Sequence, residues 1–358
     1  MGIEVTVMTP DEAAHCGWDD YVSAHPKATP YHRVGWIWAV AEAYGHQVYG
    51  LTARDRDGTL VGLLPLCLVK APLTRGTLTS LPYCDLGGPL GDTDEVISAL
   101  NNAAVELADA HGLSRVHLRL GGDEVEPEPG VGKVSMLLDL PESGEALFRT
   151  YKPKLRSQIR KAEKNGLTAE VTDSPDAVAA FYQVFAGNMH RLGSPVHSLS
   201  WFQTLKSAYG ERMVTGLVRH GDEVIGAGIL LLNGHRASIP WASTDVAFNR
   251  LAPNMLLYWS LLEYVADRGY RVFDFGRSTP GEGTWRFKKQ WGAHSHALEW
   301  ISIPCGDTRP VTTEATREDR GAEAVAGRGR ACAEWLWKRM PLWLANLLGP
   351  HLRKYVTL

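Results

Sequence analysis

Six cations crowd the stretch Tyr151 to Gly166, YKPKLRSQIRKAEKNG, and they are the residues whose types and spacing bear most directly on chemistry. Lys152, Lys154, Arg156, Arg160, Lys161 and Lys164 stand there against a single acid, Glu163. Arg156 and Arg160, four apart, share one helical face, while Leu155, Ile159 and Ala162 share another. A solvated charged helix has this pattern. So does a phosphate site, because guanidinium forks bind phosphate oxygens bidentately and two on one face can clamp a diphosphate. The whole chain of 358 residues carries a formal net charge of -3, so any such site is local and no nucleic-acid-coating protein is expected.

A second concentration is Asp274 to Gly292, DFGRSTPGEGTWRFKKQWG. A strand is expected to end at Gly276 and enter a loop with Gly281 and Gly283, where a backbone without Cβ atoms admits a ligand closely. Arg277, Ser278 and Thr279 supply donors at the strand end, and Trp285, Arg286, Lys288 and Lys289 follow. A structural glycine turn is the alternative. The stretch is neither a Walker loop nor a dinucleotide fingerprint. A third feature is Asn249 to Asn254, NRLAPN, at a helix start where free N–H groups attract anions. Pro253 has no N–H to give, so an acyl-CoA pyrophosphate finds weak support there.

Other arrangements carry less. His294 and His296 have metal-like spacing without an acidic or cysteine partner nearby in sequence, and a surface strand is expected with no metal. No GxSxG occurs, and Cys84 has no neighbouring histidine, so covalent catalysis is not expected. Asp85, in a turn-rich LPYCDLGGP loop, is a candidate general base or a turn residue bonding its own backbone.

The elements that must position these residues form two similar series. Thr9 with Glu12 makes a capping box, with Pro10 at the first helical position. Val48 to Arg54 and Thr59 to Lys70 form a hairpin about Asp57-Gly58, followed by a helix from Glu95 to His111 and a strand from Val116 to Leu120. In the second series a helix from Ser174 to about His190 precedes a hairpin of Met213 to Arg219 and Val224 to Leu232. A helix from Asn254 to Arg268 and a strand from Val272 to Gly276 complete it. Gly50, Gly58 and Gly62 match Gly216, Gly221 and Gly226 at an offset of about 165 residues, the mark of a duplicated domain. The expected organisation is a first domain over 1–145, a second over 146–303, a flexible linker over 304–330 and an amphipathic helical segment over 331–358.

Five scattered cysteines with no CxxC pair suggest neither disulfides nor zinc and fit a reducing, cytoplasmic setting. The start of the chain carries acids and has no apolar signal core, and no run of about 18 apolar residues predicts a membrane span. Glu334 to Tyr355 combines Trp335, Trp337, Trp343, Leu344, Leu347 and Leu348 with Lys338, Arg339, Arg353 and Lys354. That segment is expected to dock at a membrane surface or on a partner, or to pack on the protein's own second half.

KLRSQIRKAEKNGL resembles the Arg-x-x-Ile-Arg-x-Ala-x-Lys-x-Gly segment of the FemABX peptidyltransferases, and GTWRFKKQWG resembles their Phe-Lys-x-x-Phe-Gly segment. NRLAPNMLLYWSLLEYVADRGY paired with DFGRSTPGEGTWRFKKQWGA is similar to Fem-like proteins associated with exosortase and exopolysaccharide systems. The resemblance covers roughly residues 1 to 303, with Gln290-Trp291 standing where the family has Gly-Phe. It implies an α/β fold of tandem GNAT-type domains with mixed central sheets flanked by helices. It also implies transfer of an aminoacyl group from aminoacyl-tRNA to an amine of a nucleotide- or lipid-diphosphate-linked envelope precursor, with no cofactor. By position, Arg156 and Arg160 would meet acceptor phosphates and Lys288 would face the reacting ester carbonyl. Asp85 or the substrate itself would take the proton. Arg277, Ser278, Asn254, Trp285 and Lys289 would contact substrate. The alternatives are an acyl-CoA-dependent N-acyltransferase acting on an amino sugar, and a non-catalytic module that binds precursors.

Overall fold

The computed structural model describes residues 2–72, 74, 76–306 and 334–357. The expected linker over 304–330 therefore falls almost wholly outside the described residues, as does Cys332. Two compact units emerge, a first of Met1–Gly122 with the described part of Leu298–Val325 and Lys354–Leu358, and a second of Asp123–Ala297 with the described part of Ala326–Arg353. The division falls earlier than residue 145, because the strand Val134–Asp139 packs into the second unit.

The first unit begins with β1 (Glu4–Met8), then α1 (Pro10–Ala14), α2 (Trp18–Ala24) and α3 (Val34–Tyr44). Thr9 caps α1 with both bonds of the capping box in place. The hairpin follows as β2 (Gln47–Arg54) and β3 (Leu60–Val69), turned at Gly58 with φ 81°. Then come β4 (Thr77–Thr79), β5 (Leu90–Gly91), α4 (Asp94–Ala110) and β6 (Arg115–Glu124). Strands β1 to β4 pair antiparallel in chain order, β5 pairs β3, and β4 pairs β6 in parallel after the α4 crossover. Helix α4 buries Val96, Leu100, Ala104 and Ala108, spaced by four, against Leu51, Leu64 and Leu66 of the hairpin.

The second unit opens with β7 (Val134–Asp139), α5 (Gly144–Thr150) and α6 (Pro153–Lys164). It then runs through β8 (Leu167–Thr172), α7 (Ala177–Leu192), α8 (Leu199–Tyr209), β9 (Met213–His220), β10 (Glu223–Asn233) and β11 (Arg236–Thr244). After α9 (Pro253–Ala266) come β12 (Val272–Ser278), α10 (Gly283–Lys289) and β13 (His294–Pro304), and later α11 (Leu342–Arg353). Strands β8 to β11 again pair antiparallel in chain order, and β11 pairs β12 in parallel after the α9 crossover. Each unit thus builds the same mixed sheet, four antiparallel strands closed by a helical crossover to a parallel fifth.

The glycines shared by the two hairpins have a packing reason. A Cβ on Gly62 would lie 2.4 Å from Val96 of α4, and one on Gly216 would lie 2.7 Å from Leu261 of α9. Glycine lets the crossover helix approach the hairpin in both units.

Candidate active site

Helix α6 carries the first candidate cluster. Leu155, Ile159 and Ala162 are buried, which fixes the rotation of the helix and turns its cations outward. Burial of each of the two larger side chains contributes roughly 1.5–3 kcal/mol. Arg156, Arg160, Lys161 and Lys164, with Pro153 and Ser157, line a surface depression of about 470 Å³. Among the described residues no carboxylate pairs with any of these four cations. Arg160 rests its guanidinium 5.3 Å from the centre of the Phe148 ring, which limits its freedom without spending its donors.

The second feature is a fork between β11 and β12. The two strands pair only over Arg236 to Ser238 and Val272 to Asp274. There β11 carries a bulge, since Ile239 and Pro240 together face the single residue Leu230 of β10. Strand β12 carries another, since Phe275 and Gly276 face Met136 of β7. Gly276 has φ 73°, the left-handed region that glycine occupies without strain.

The second bulge is held by two buried charged side chains. Asp274, 2% exposed, accepts from the Gly276 N–H at 2.8 Å and from Ser135 Oγ at 3.1 Å, with Ser238 Oγ at 3.5 Å. Lys288, 8% exposed, donates from Nζ to the carbonyls of Gly276 at 3.0 Å and Arg277 at 2.9 Å. The segment carrying Lys288, read in sequence only as polar and aromatic, is the short helix α10. Lys288 thus has a positioning task at the end of β12, directly beside Arg277.

The remaining expected residues are placed as follows. Ser278 is buried and its hydroxyl finds no partner among the described residues. Trp285 donates from Nε1 to Ser295 Oγ at 3.0 Å, and Lys289 sits 4.6 Å from the centre of the Trp285 ring. Asn254 is the second residue of α9, after Pro253. Pro253 has no N–H and the Met255 N–H turns back to the Ala252 carbonyl at 3.0 Å, which leaves Asn254 as the donor at that end. The helix start is therefore poor in donors for a pyrophosphate.

Asp85 belongs to the first unit, whereas every other expected site residue belongs to the second. Its backbone carbonyl accepts from Trp300 Nε1 at 3.1 Å. Beside it Cys84 is fully enclosed, and burial pushes its thiol up to about 12 despite the nearby Arg119. Such a thiol is not a nucleophile at neutral pH. His294 differs from the expectation of no acidic neighbour, because Glu124 lies 3.0 Å from its Nδ1, but no group of three metal-ligating side chains forms among the described residues. No helix among them is long and apolar enough to cross a membrane.

Asp274 was not singled out by its type, although a charged residue inside VFDF is the available signal. Its role needs donors from β7, β11 and its own strand, and no sequence window contains all three.

Residues 149–289, which include α6, the fork and α10, match the family model described as an acetyltransferase (GNAT) domain. Sequence comparison with curated proteins finds no match. Among solved structures the chain is similar to FemX, at 17% identity and a TM-score of 0.62, covering 82% of this chain and 94% of that one. It is also similar to a tandem GNAT protein from the clavulanic acid biosynthesis pathway, at 14% identity and a TM-score of 0.52 over 86% of this chain and all of that one. A third is the C-terminal domain of a putative lysylphosphatidylglycerol synthetase from Agrobacterium fabrum, at 13% identity and a TM-score of 0.55 over 90% and 96%. Residues 149–289 thus match an acetyltransferase (GNAT) domain, and the fold over most of the chain is the one shared by FemX and the tandem GNAT protein.

Proposed function

We propose that the chain transfers an aminoacyl group from aminoacyl-tRNA to an amine of a cell-envelope precursor that carries a nucleotide- or lipid-linked diphosphate. The observation that carries this reading is the α6 face, where four cations with no paired carboxylate among the described residues border a depression of about 470 Å³. Arg156 and Arg160, one turn apart, suit the two phosphates of a diphosphate. The acceptor amine attacks the ester carbonyl directly. A C–N bond forms, the C–O bond to the tRNA ribose breaks, and the amine proton passes by way of the substrate itself to the departing ribose oxygen. Lys288, its ammonium fixed by two carbonyls, supplies positive charge for the developing oxyanion, and positioning by Arg277, Ser278, Asn254, Trp285 and Lys289 supplies the rest. A lipid-linked acceptor would bring the enzyme to the inner face of the membrane.

The second reading is an acyl-CoA-dependent N-acyltransferase acting on an amino sugar of an exopolysaccharide precursor. The acetyltransferase domain matched over 149–289 favours it, and the donor-poor start of α9 weighs against it. Incubation with labelled aminoacyl-tRNA, acetyl-CoA and longer acyl-CoAs, each with UDP-linked peptide and amino-sugar acceptors, separates the two. Label passing to the acceptor amine from aminoacyl-tRNA alone is the expected result. Transfer from a CoA thioester would replace the first reading by the second. Tight acceptor binding with no transfer would leave a precursor-binding module.

A further inference from the structure

Helix α11 is packed with its small residues inward and its large apolar residues outward. Ala345 and Gly349, one turn apart, are buried, and a Cβ on Gly349 would come within 3.0 Å of the backbone of Val196. Trp343 is 68% exposed, Leu347 58% and Leu352 49%. Just before the helix, Trp335 and Leu336 are as open, at 52% and 56%. Of the twelve exposed large apolar side chains among the described residues, seven lie between Trp335 and Leu352. A face of this kind is unstable in water unless something covers it.

The sequence alone left three options for this segment, a membrane surface, a partner or the protein's own second half, and the structure shows the last of these on one face only. Packing on the second unit is made by the small residues, by Trp337, by His190 Nε2 within 2.8 Å of the Met340 carbonyl, and by Arg353 donating to His197. That contact uses none of the outward leucines and tryptophans. The covering partner is indicated by charge. Between Glu334 and Arg353, Lys338 and Arg339 are exposed, Arg353 is engaged with His197, and Glu334 is the one acid, in a chain of net charge -3. Lys338 and Arg339 are both exposed at the edge of the apolar face, and Arg339 lies 3.7 Å over the Trp335 ring. Exposed tryptophans with cations at their rim match the interfacial zone of a bilayer, where indoles sit at headgroup depth and lysine and arginine meet lipid phosphates.

We propose that the outer face of α11 and the Trp335–Leu336 turn docks on the surface of an anionic membrane, lying in the interface plane. This surface is separate from α6 and the fork, and the inference does not depend on which donor or acceptor the enzyme uses. The test is co-sedimentation of the full chain with vesicles of phosphatidylcholine, with and without phosphatidylglycerol, together with tryptophan emission. Binding to the phosphatidylglycerol vesicles, a blue-shifted emission and weakening by salt are expected. The doubly exposed variant Trp343→Glu/Leu347→Glu, with its melting temperature checked, should lose about tenfold or more in partitioning. Lys338→Glu/Arg339→Glu should lose the preference for anionic over neutral vesicles. Absence of wild-type binding to any vesicle, or equal binding by the Trp343/Leu347 variant, would overturn the proposal. So would a wild-type dimer that the same variant makes monomeric while neither form binds vesicles, since the face would then join two copies of the chain.

Discussion

Asp274 and Lys288 hold the same residue by its two backbone groups, the carboxylate taking the Gly276 N–H at 2.8 Å and the ammonium giving a hydrogen bond to the Gly276 carbonyl at 3.0 Å. Neither contact is between the two charges themselves. The opposite charges meet across the two backbone groups of one residue, at the point where β12 leaves β11 and the half-buried Arg277 follows.

Replacement of Lys288 by Met should act on both stability and rate. Two part-buried carbonyls lose their donor, which costs about 1–3 kcal/mol and is read in the melting temperature. If the ammonium also serves the developing oxyanion, kcat falls by far more than KM rises. A variant that is less stable but turns over within a few-fold of wild type would confine Lys288 to positioning. Lys288→Arg, which keeps the charge, is the control for the stability term.

The Asp274→Ala change removes the acceptor for Gly276 and Ser135, and a loss of about 1–3 kcal/mol is expected. Combined with Lys288→Met, the two losses should add to less than their sum, because both act on one bulge. Urea titration of the four forms measures the coupling. Strict additivity would mean that the bulge is held by other contacts.

Arg156→Ala/Arg160→Ala should leave folding intact, since both guanidinium groups lie outside the buried face of α6. Affinity for a UDP-linked acceptor should fall by about ten- to a hundredfold, in line with about 1.5–3 kcal/mol per hydrogen bond to a charged group. The salt dependence of binding should flatten as well. Calorimetric titration at two ionic strengths reads both, and unchanged affinity would remove the phosphate role.

His197 sets a pH dependence. It is fully enclosed, it accepts from Arg353 Nε at 3.1 Å, and burial together with the Arg353 charge holds it well below the usual 6.5. The folded state therefore keeps His197 neutral while the unfolded chain gains a proton below about pH 6.5. Stability from this group is complete above that value and declines as the pH falls below it. His25 and His46 are lowered in the same direction by burial, so the contribution is isolated by difference. The melting temperature of wild type should drop between about pH 6.5 and 5, and that of His197→Gln should drop less.

Gly62→Ala should be costly and Gly226→Ala mild, although the two glycines correspond. A Cβ at 62 meets Val96 at 2.4 Å and a backbone oxygen at 2.9 Å, whereas one at 226 meets a Thr244 methyl at 3.2 Å. Overpacking typically costs about 1–3 kcal/mol, which thermal melts of the two variants resolve.

What could be read beforehand follows from how local each signal is. The inner face of α6 was legible because Leu155, Ile159 and Ala162 repeat at helical spacing, and its outer face because six cations share one short segment. Strand β11 was not, since Pro240 inside RASIPWAST argues against a central strand unless a bulge accommodates it. Helix α10 was missed because seven residues are too few to show a period. The Asp274 cluster was missed because its donors are about 35 and 140 residues away in the chain. The outward leucines of α11 were visible as an apolar run, yet which side of the helix would face solvent depended on the close approach of Gly349 to Val196.

Pro240 gives the fork a further property. A parallel strand pair propagates by adding one amide after another, and two residues beyond Ser238 β11 has Pro240, with no amide hydrogen to add. Thermal motion can therefore fray the three-residue seam of Arg236 to Ser238, but it cannot extend that seam through Pro240. The parting of the two strands beyond Ser238 and Asp274 is therefore fixed by the covalent chain itself, by a proline and bulge on one strand and a bulge on the other.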